Sequence, residues 1–239
     1  MNIIAITQKS LDKPENEDRI VVGRTVLAEG CLQTGISSGV IAVADGVGGN
    51  KAGAVASHFV SRKLSEAAHI DYDWLAQVNR ELLQLSATTE RYAKMATTLS
   101  GICIEDDTAV FFSVGNTRVY TLQSGKYLKQ LTRDDTTLNY LLSTGQLSGA
   151  EAENFDRKNE ITACFGGGSQ QLGKIKISPR NPVTAPFMLT SDGIHDYVSV
   201  DRLEDILEEY GFTMDACEAC IAAARAGGSK DDVSIVLIS

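Results

Sequence analysis

The spacing of apolar residues changes period along this chain, and the changes mark out its elements. Residues 3–6 and 19–23 read as strands, 35–39 as a turn, and 40–44 as a buried strand. A glycine-rich loop at 46–49 leads into 52–68, where Val55, Phe59 and Leu64 among alanines form a helical stripe. A second helix is predicted over 72–94, with Trp74, Leu75, Val78, Leu82 and Leu85 on one face. Residues 98–104, 109–114 and 117–123 then alternate as strands, with tight connections at Asp106-Asp107 and Gly115-Asn116. Residues 133–160 are polar and read as short helices or a mobile insert. Segments 175–178 and 187–190 read as strands, 200–210 and 214–226 as helices, and 233–238 as a closing strand. Helix pairs beside consecutive antiparallel strands predict an α+β fold with helices outside packed sheets. Without repeats, low-complexity tracts or linkers, residues 1–239 read as one domain.

Four acidic clusters stand at the ends of these segments: Asn16-Glu17-Asp18, Asp45-Gly46-Val47-Gly48-Gly49, Ser191-Asp192-Gly193 and Lys230-Asp231-Asp232. Asp45 and Asp192 are expected directly after a strand, and Asp231 directly before one. A strand end holds a carboxylate still and a following glycine lets backbone approach, which suits a hard divalent cation. One Asp-Gly pair alone is an ordinary turn; the other clusters tip the balance to metal.

Composition narrows the partners. The 239 residues are 43% hydrophobic and 22% charged, ordinary for a globular protein. A net charge of −9 repels nucleic acid and attracts cations. No stretch approaches the roughly 20 apolar residues that span a bilayer, and the start lacks a basic segment before an apolar one, so no signal peptide, no membrane partner and a cytoplasmic location are expected. Five irregularly spaced cysteines read as free thiols in a reducing compartment.

Several motifs fail on context. Gly35-Ile36-Ser37-Ser38-Gly39 has nucleophile-elbow spacing but precedes a strand. Gly168 to Lys174 begins like a P-loop, but Ile175 replaces the hydroxyl that binds Mg²⁺. Cys217 and Cys220 form a lone C-x-x-C in a helical pattern and read as a buried face. His58 and His69 read as packing or surface residues in a helical region, His195 as structural. Asp106-Asp107 reads as a hairpin turn. Asp134-Asp135 reads as a helix start, because aspartate is a good N-cap.

The order of motifs resembles the metal-dependent protein phosphatase family, the PP2C-like Ser/Thr phosphatases, in bacterial single-domain form. The resemblance runs through Lys13-Pro14-Glu15-Asn16-Glu17-Asp18, Ala44-Asp45-Gly46-Val47-Gly48-Gly49, Ala96-Thr97-Thr98-Leu99, Gly115-Asn116-Thr117-Arg118-Val119-Tyr120 and Leu131-Thr132-Arg133-Asp134, then Leu189-Thr190-Ser191-Asp192-Gly193 and Ser229-Lys230-Asp231-Asp232-Val233-Ser234. It implies two antiparallel sheets sandwiched between helix pairs, an αββα arrangement, with a flap at about 133–165. It also implies two ions, Mn²⁺ or Mg²⁺. Asp45 would bridge them, the Gly46 carbonyl would ligate one, Asp192 and Asp231 would hold the first, and Glu17 and Asp18 would hold or orient waters on the second. Two such ions can ionise a shared water near neutral pH and neutralise phosphoryl charge, so hydrolysis of phosphoserine or phosphothreonine needs no protein nucleophile.

Departures from the family pattern sharpen the expectation. Lys13 stands where the family commonly has a phosphate-gripping arginine; it keeps the charge and loses the bidentate fork. Asn116 replaces an aspartate that helps to hold a third ion in bacterial relatives, which argues against a third ion here. Asp232 replaces an asparagine, and Val47 a histidine suspected as general acid in some relatives. The resemblance implies a phosphorylated protein substrate, a Ser/Thr kinase or its target. The rival readings are a catalytically silent adaptor that binds a kinase or phosphoprotein, and a switch phosphatase dedicated to one partner.

Overall fold

The computed structural model describes residues 1–47, 52–152, 154–167, 174–183 and 186–239. Gly48 and Gly49 of the expected loop, and 168–173 of the P-loop-like stretch, lie outside them. The first half holds β1 (Asn2–Gln8), β2 (Asp18–Val22), β3 (Thr25–Leu27), β4 (Gly30–Gly35), β5 (Gly39–Val47), α1 (Ala52–Glu66), α2 (Tyr72–Ser86), β6 (Ala96–Thr97), β7 (Leu99–Glu105) and β8 (Thr108–Val114). The second half holds β9 (Arg118–Gln123), β10 (Tyr127–Gln130), α3 (Thr137–Ser143), α4 (Gly149–Ala152), β11 (Phe165–Gly166), β12 (Lys176–Ile177), β13 (Asn181–Pro182), β14 (Phe187–Thr190), α5 (Asp192–His195), α6 (Val200–Tyr210), α7 (Met214–Ala226) and β15 (Val233–Ile238).

The strands form two antiparallel sheets. One runs β10-β9-β14-β15-β1-β4; the other has β11-β6-β5-β7-β8-β12 as its spine, with β2, β3 and β13 attached. Alternation along the central strands sends side chains into different cores. In β1, Ile4 and Ile6 pack with Leu203, Ile206 and Cys217 of α6 and α7, while Ile3 and Ala5 face Ile41, Val43 and Val236 between the sheets. In β5, Val40, Ala42 and Ala44 pack with Val60, Leu64 and Leu82 of α1 and α2. Three cores separate four layers, helix pair, sheet, sheet, helix pair, which is the expected sandwich. Each fully buried Ile, Val or Leu contributes about 1.5–3 kcal/mol, so these alternating strands hold the layers together.

α6, α7 and β15 have the expected bounds. Other segments differ, each for a physical reason. α2 stops at Ser86 rather than continuing to Lys94: the Ser86 and Thr88 hydroxyls donate to the Leu83 and Leu85 carbonyls, which competes with helix propagation, and a separate 3-10 turn covers Glu90–Tyr92. β4 was not expected because Gly30–Gly35 is polar and glycine-rich; it is an edge strand paired only with β1. Asp45 does not follow its strand but lies inside it, since β5 runs on to pair Gly46 and Val47 with Thr97 and Ala96. Thr136, not Asp134 or Asp135, caps α3. His69 lies beyond α1, beside Glu105 at 2.7 Å. Among the described residues no helix is long and apolar enough to cross a membrane. All five cysteines are free.

Candidate active site

The site grows out of one end of the inter-sheet core. Counting by twos from Ile41 and Val43 reaches Asp45; counting back from Val22 and Ile20 reaches Asp18. The β2–β5 register sets Asp18 opposite Asp45. Like charges in that arrangement weaken an ordinary sheet. Asp18 is buried, and the Ser234 hydroxyl of β15 donates to its Oδ2 at 2.7 Å while lying 2.8 Å from Thr7 Oγ1.

Asp192 opens α5 just after β14, as expected, and accepts from Asn116 Nδ2 at 2.9 Å. Its carboxyl also meets that of Asp45. Gly193 is required by packing: the Asp232 carbonyl lies against it where a Cβ would project. Asp231 and Asp232 precede β15, and the 230–232 turn is tied to α5 through Ser229 Oγ, which donates to the Gly193 carbonyl at 2.8 Å.

Glu17 approaches from the β1–β2 connection. Its carbonyl accepts from Gly46 N at 3.1 Å and from Ser57 Oγ of α1 at 2.5 Å. A Cβ on Gly46 would come within 2.8 Å of that carbonyl, so glycine is needed where β5, α1 and this loop converge. Lys13 Nζ stands among the acids, 2.5 Å from Asp231 Oδ1 and 3.3 Å from both Asp232 Oδ2 and Glu17 Oε2.

Electrostatics follow from this crowding. Burial, partly opposed by the Ser234 and Ser191 hydroxyls, pushes the Asp18 carboxyl up to about 7. Burial and the charges of Asp192, Asp18 and Asp231 hold Asp45 well above the usual carboxylate range. Burial and Asp231 raise Asp192, against the hydrogen bond from Asn116. Burial alone would lower Lys13, but Asp231, Asp232 and Glu17 overcome it and keep the ammonium charged. Burial holds His195 neutral, its Nδ1 2.8 Å from Thr190 Oγ1, which is a structural role.

Sequence reasoning missed Asp196. Burial and Asp192 push its carboxyl up to about 7, and its place one helical turn after Asp192 was the available signal. It also missed Ser234, whose signal was a lone hydroxyl on the inward face of an apolar strand. The structure thus sets Glu17, Asp231 and Asp232 against Lys13, Asp18 opposite Asp45, and Asp192 against Asp45, with Asn116 beside Asp192.

The donor set passes a test of fit for hard divalent ions. It is made of oxygen atoms, its acids outnumber the one ammonium among them, and Glu17 Oε1 is buried without a hydrogen-bond partner. Among the described residues, no three His, Cys, Asp or Glu side chains already close on a single point; Lys13 stands between Glu17 and Asp231 instead. Such a set can bind cations and, through Lys13, an anion beside them.

The insert is fastened at its base. Arg118 donates to both oxygens of Asp134 at 2.6–3.1 Å, Gly115 N donates to Asp135 Oδ2 at 3.1 Å, and Thr162 N donates to the Asp135 carbonyl at 2.7 Å. α3 and α4 have no buried residues.

Comparison with known proteins identifies the family and the fold. The family model for Protein phosphatase 2C matches residues 31–225. The serine/threonine phosphatase stp of Listeria monocytogenes serotype 4b (strain F2365) is 30% identical over 218 residues, covering 83% of each chain. The crystal structure of the Mycobacterium tuberculosis serine/threonine phosphatase PstP/Ppp superposes with a TM-score of 0.81 at 24% identity, covering 99% of this chain and 98% of that one. A structure of the PstP catalytic domain in complex with two manganese ions gives 0.75 at 23% identity, covering 99% and 98%.

Proposed function

This chain belongs to the protein phosphatase 2C family, and from that premise we propose that it removes phosphate from phosphoserine or phosphothreonine in protein substrates. The observation that carries the reading is the assembly of Asp45, Asp192 and Asp231 from three distant segments, with Lys13 set among acids. Asp192 and Asp231 are assigned to one ion, Glu17 and Asp18 to a second or to its waters, Asp45 to both and the Gly46 carbonyl to one of the two, either Mn²⁺ or Mg²⁺. Bound there, the pair would supply Lewis-acid chemistry and activation of water for in-line attack on the phosphoryl group.

The chain's own side chains do the rest. Asn116 orients Asp192 through its amide, and Ser234 fixes Asp18. Lys13, in reach of solvent at 29% side-chain exposure, grips a phosphoryl oxygen as a point charge. Val47 offers no proton at β5, so the departing alkoxide would take its proton from water or from another group. Residues 133–165 serve as a flap whose fixed base and exposed body frame the approach to the site. The substrate is a phosphoprotein, a Ser/Thr kinase or its target, and the free thiols suit the cytoplasm. The silent-adaptor alternative is not favoured, because a binding scaffold has no use for mutually repelling acids.

Titrating the metal-stripped protein with Mn²⁺ while following phosphate release from a phosphoserine peptide tests this. Saturable, chelator-reversible hydrolysis is expected. Hydrolysis that ignores chelation, or none at any Mn²⁺ concentration, overturns the assignment.

A further inference from the structure

We propose that Asp232 is a positioning residue, a two-ended clamp whose charge shapes the loop carrying Lys13 and Glu17. Its catalytic consequence rests on the phosphatase reading above; its structural consequence does not. Asp232 Oδ1 accepts from the Ser10 N–H at 2.7 Å, and Oδ2 accepts from the Glu17 N–H at 2.8 Å. Ser10 and Glu17 stand at opposite ends of the connection between β1 and β2, so one side chain grips both stems. Its Oδ2 also faces Lys13 Nζ at 3.3 Å, and the side chain is only 1% exposed.

The clamp is built into its surroundings. The Asp232 N–H donates to Asp231 Oδ1 at 2.8 Å, so the two acids are set together. Ser10 Oγ donates to the Lys230 carbonyl at 2.7 Å. From α7, Arg225 donates to the Asp231 carbonyl at 2.6 Å and reaches the Lys9 carbonyl at 3.4 Å. These contacts join the segment before β15 to the segment after β1.

Chemistry explains why an aspartate is used. A carboxylate accepts on both oxygens, whereas an asparagine has one acceptor and one NH₂. With asparagine, one of the two stem N–H groups would face another N–H. Hydrogen bonds to a charged acceptor are also the stronger kind. The carboxylate further balances Lys13, so the acid at 232 and the lysine at 13 are matched: the group that sets the loop's shape also holds its ammonium beside Asp231. Loosening the clamp should displace the phosphate grip without removing any group assigned to an ion.

Amide hydrogen exchange at Ser10 and Glu17, read in the unmodified protein and in Asp232→Asn, tests the clamp directly. Both amides should be protected in the unmodified protein. In the variant at least one should exchange roughly 10- to 100-fold faster while β5 and β15 keep their protection. An Asp231→Asn control should leave both amides protected. With a phosphoserine peptide at saturating Mn²⁺, the KM of Asp232→Asn should rise roughly tenfold, with kcat changed less than about threefold. Fast exchange of both amides in the unmodified protein, undiminished protection in the variant, or a fall in kcat at constant KM would overturn the proposal. If the unmodified protein hydrolyses nothing, the phosphatase reading fails and the exchange data still judge the clamp. If the variant does not fold, the exchange of the unmodified protein decides alone.

Discussion

Asn116, in the β8–β9 connection, and Arg118, two residues on at the start of β9, reach two different aspartates. Arg118 makes a forked contact with Asp134, which also accepts from Gln130 Nε2 at 2.8 Å. Asn116 gives Asp192 one amide hydrogen bond and no charge. The first acid is neutralised and fastens the base of the insert. The second is left facing Asp45 and Asp231 with its charge unbalanced. Burial is common to both, so it does not separate these two carboxylates; the forked guanidinium contact that Asp134 has and Asp192 lacks does.

The largest effect expected is on the unbalanced side. Asp192→Asn should lower phosphopeptide hydrolysis by at least about a hundredfold, since ion-mediated stabilisation of the transition state is worth several kcal/mol. The metal-free variant should melt no lower than the parent, because a repelled charge has gone; a clear loss of thermal stability with normal turnover would erase the distinction. On the balanced side, Asp134→Ala should cost roughly 3 kcal/mol in urea unfolding, because Arg118 is then left buried without its counter-charge. Its turnover per folded molecule should be close to normal in the presence of Mn²⁺.

Proton linkage offers a milder probe. The folded Asp18 carboxyl lies up near 7, against about 4 in an unfolded chain. The folded metal-free protein therefore holds the extra proton in that window, and the contribution of Asp18 to stability should be full below about pH 4 and decline towards pH 7, so the parent should lose more stability over that range than Asp18→Asn. Denaturation of both chelated proteins at several pH values checks this, and an equal or smaller loss in the parent would contradict it. The smallest effect comes from exchanging the two kinds of neighbour. Asn116→Asp should cost about 1 kcal/mol in the metal-free state by adding a like charge beside Asp192, a fall of roughly 2–4 °C in Tm, and Mn²⁺ should offset it.

Much of this arrangement was legible in the chain. α6, α7 and β15 carry strong periods and clean ends, and the acids were found from their order. What was hidden is either weakly patterned or long-range. β4 is polar and made visible only by pairing with β1. Asp45 lies inside β5 because Thr97 and Ala96 extend the pairing past it, a contact no local period reports. Asp134 looked like a cap because its partner, Arg118 at the start of β9, lies 16 residues back in the chain. The salt bridge of Lys13 to Asp231 joins residues 218 positions apart, so its geometry follows from topology rather than from any neighbouring residue. The roles of Asp232, Ser234 and Ser10 likewise appear only once β1 and β15 lie side by side.

The pairing of Asp18 with Asp45 has a consequence for how strictly the strands must align. A slip of β5 by one position would turn the acid away from its partner and, in the same movement, press Ile41 and Val43 against α1 and α2, where the smaller Ala42 and Ala44 now fit. A misaligned copy would thus be overpacked and inert at once, so a copy that packs well carries a correctly aimed pair of acids.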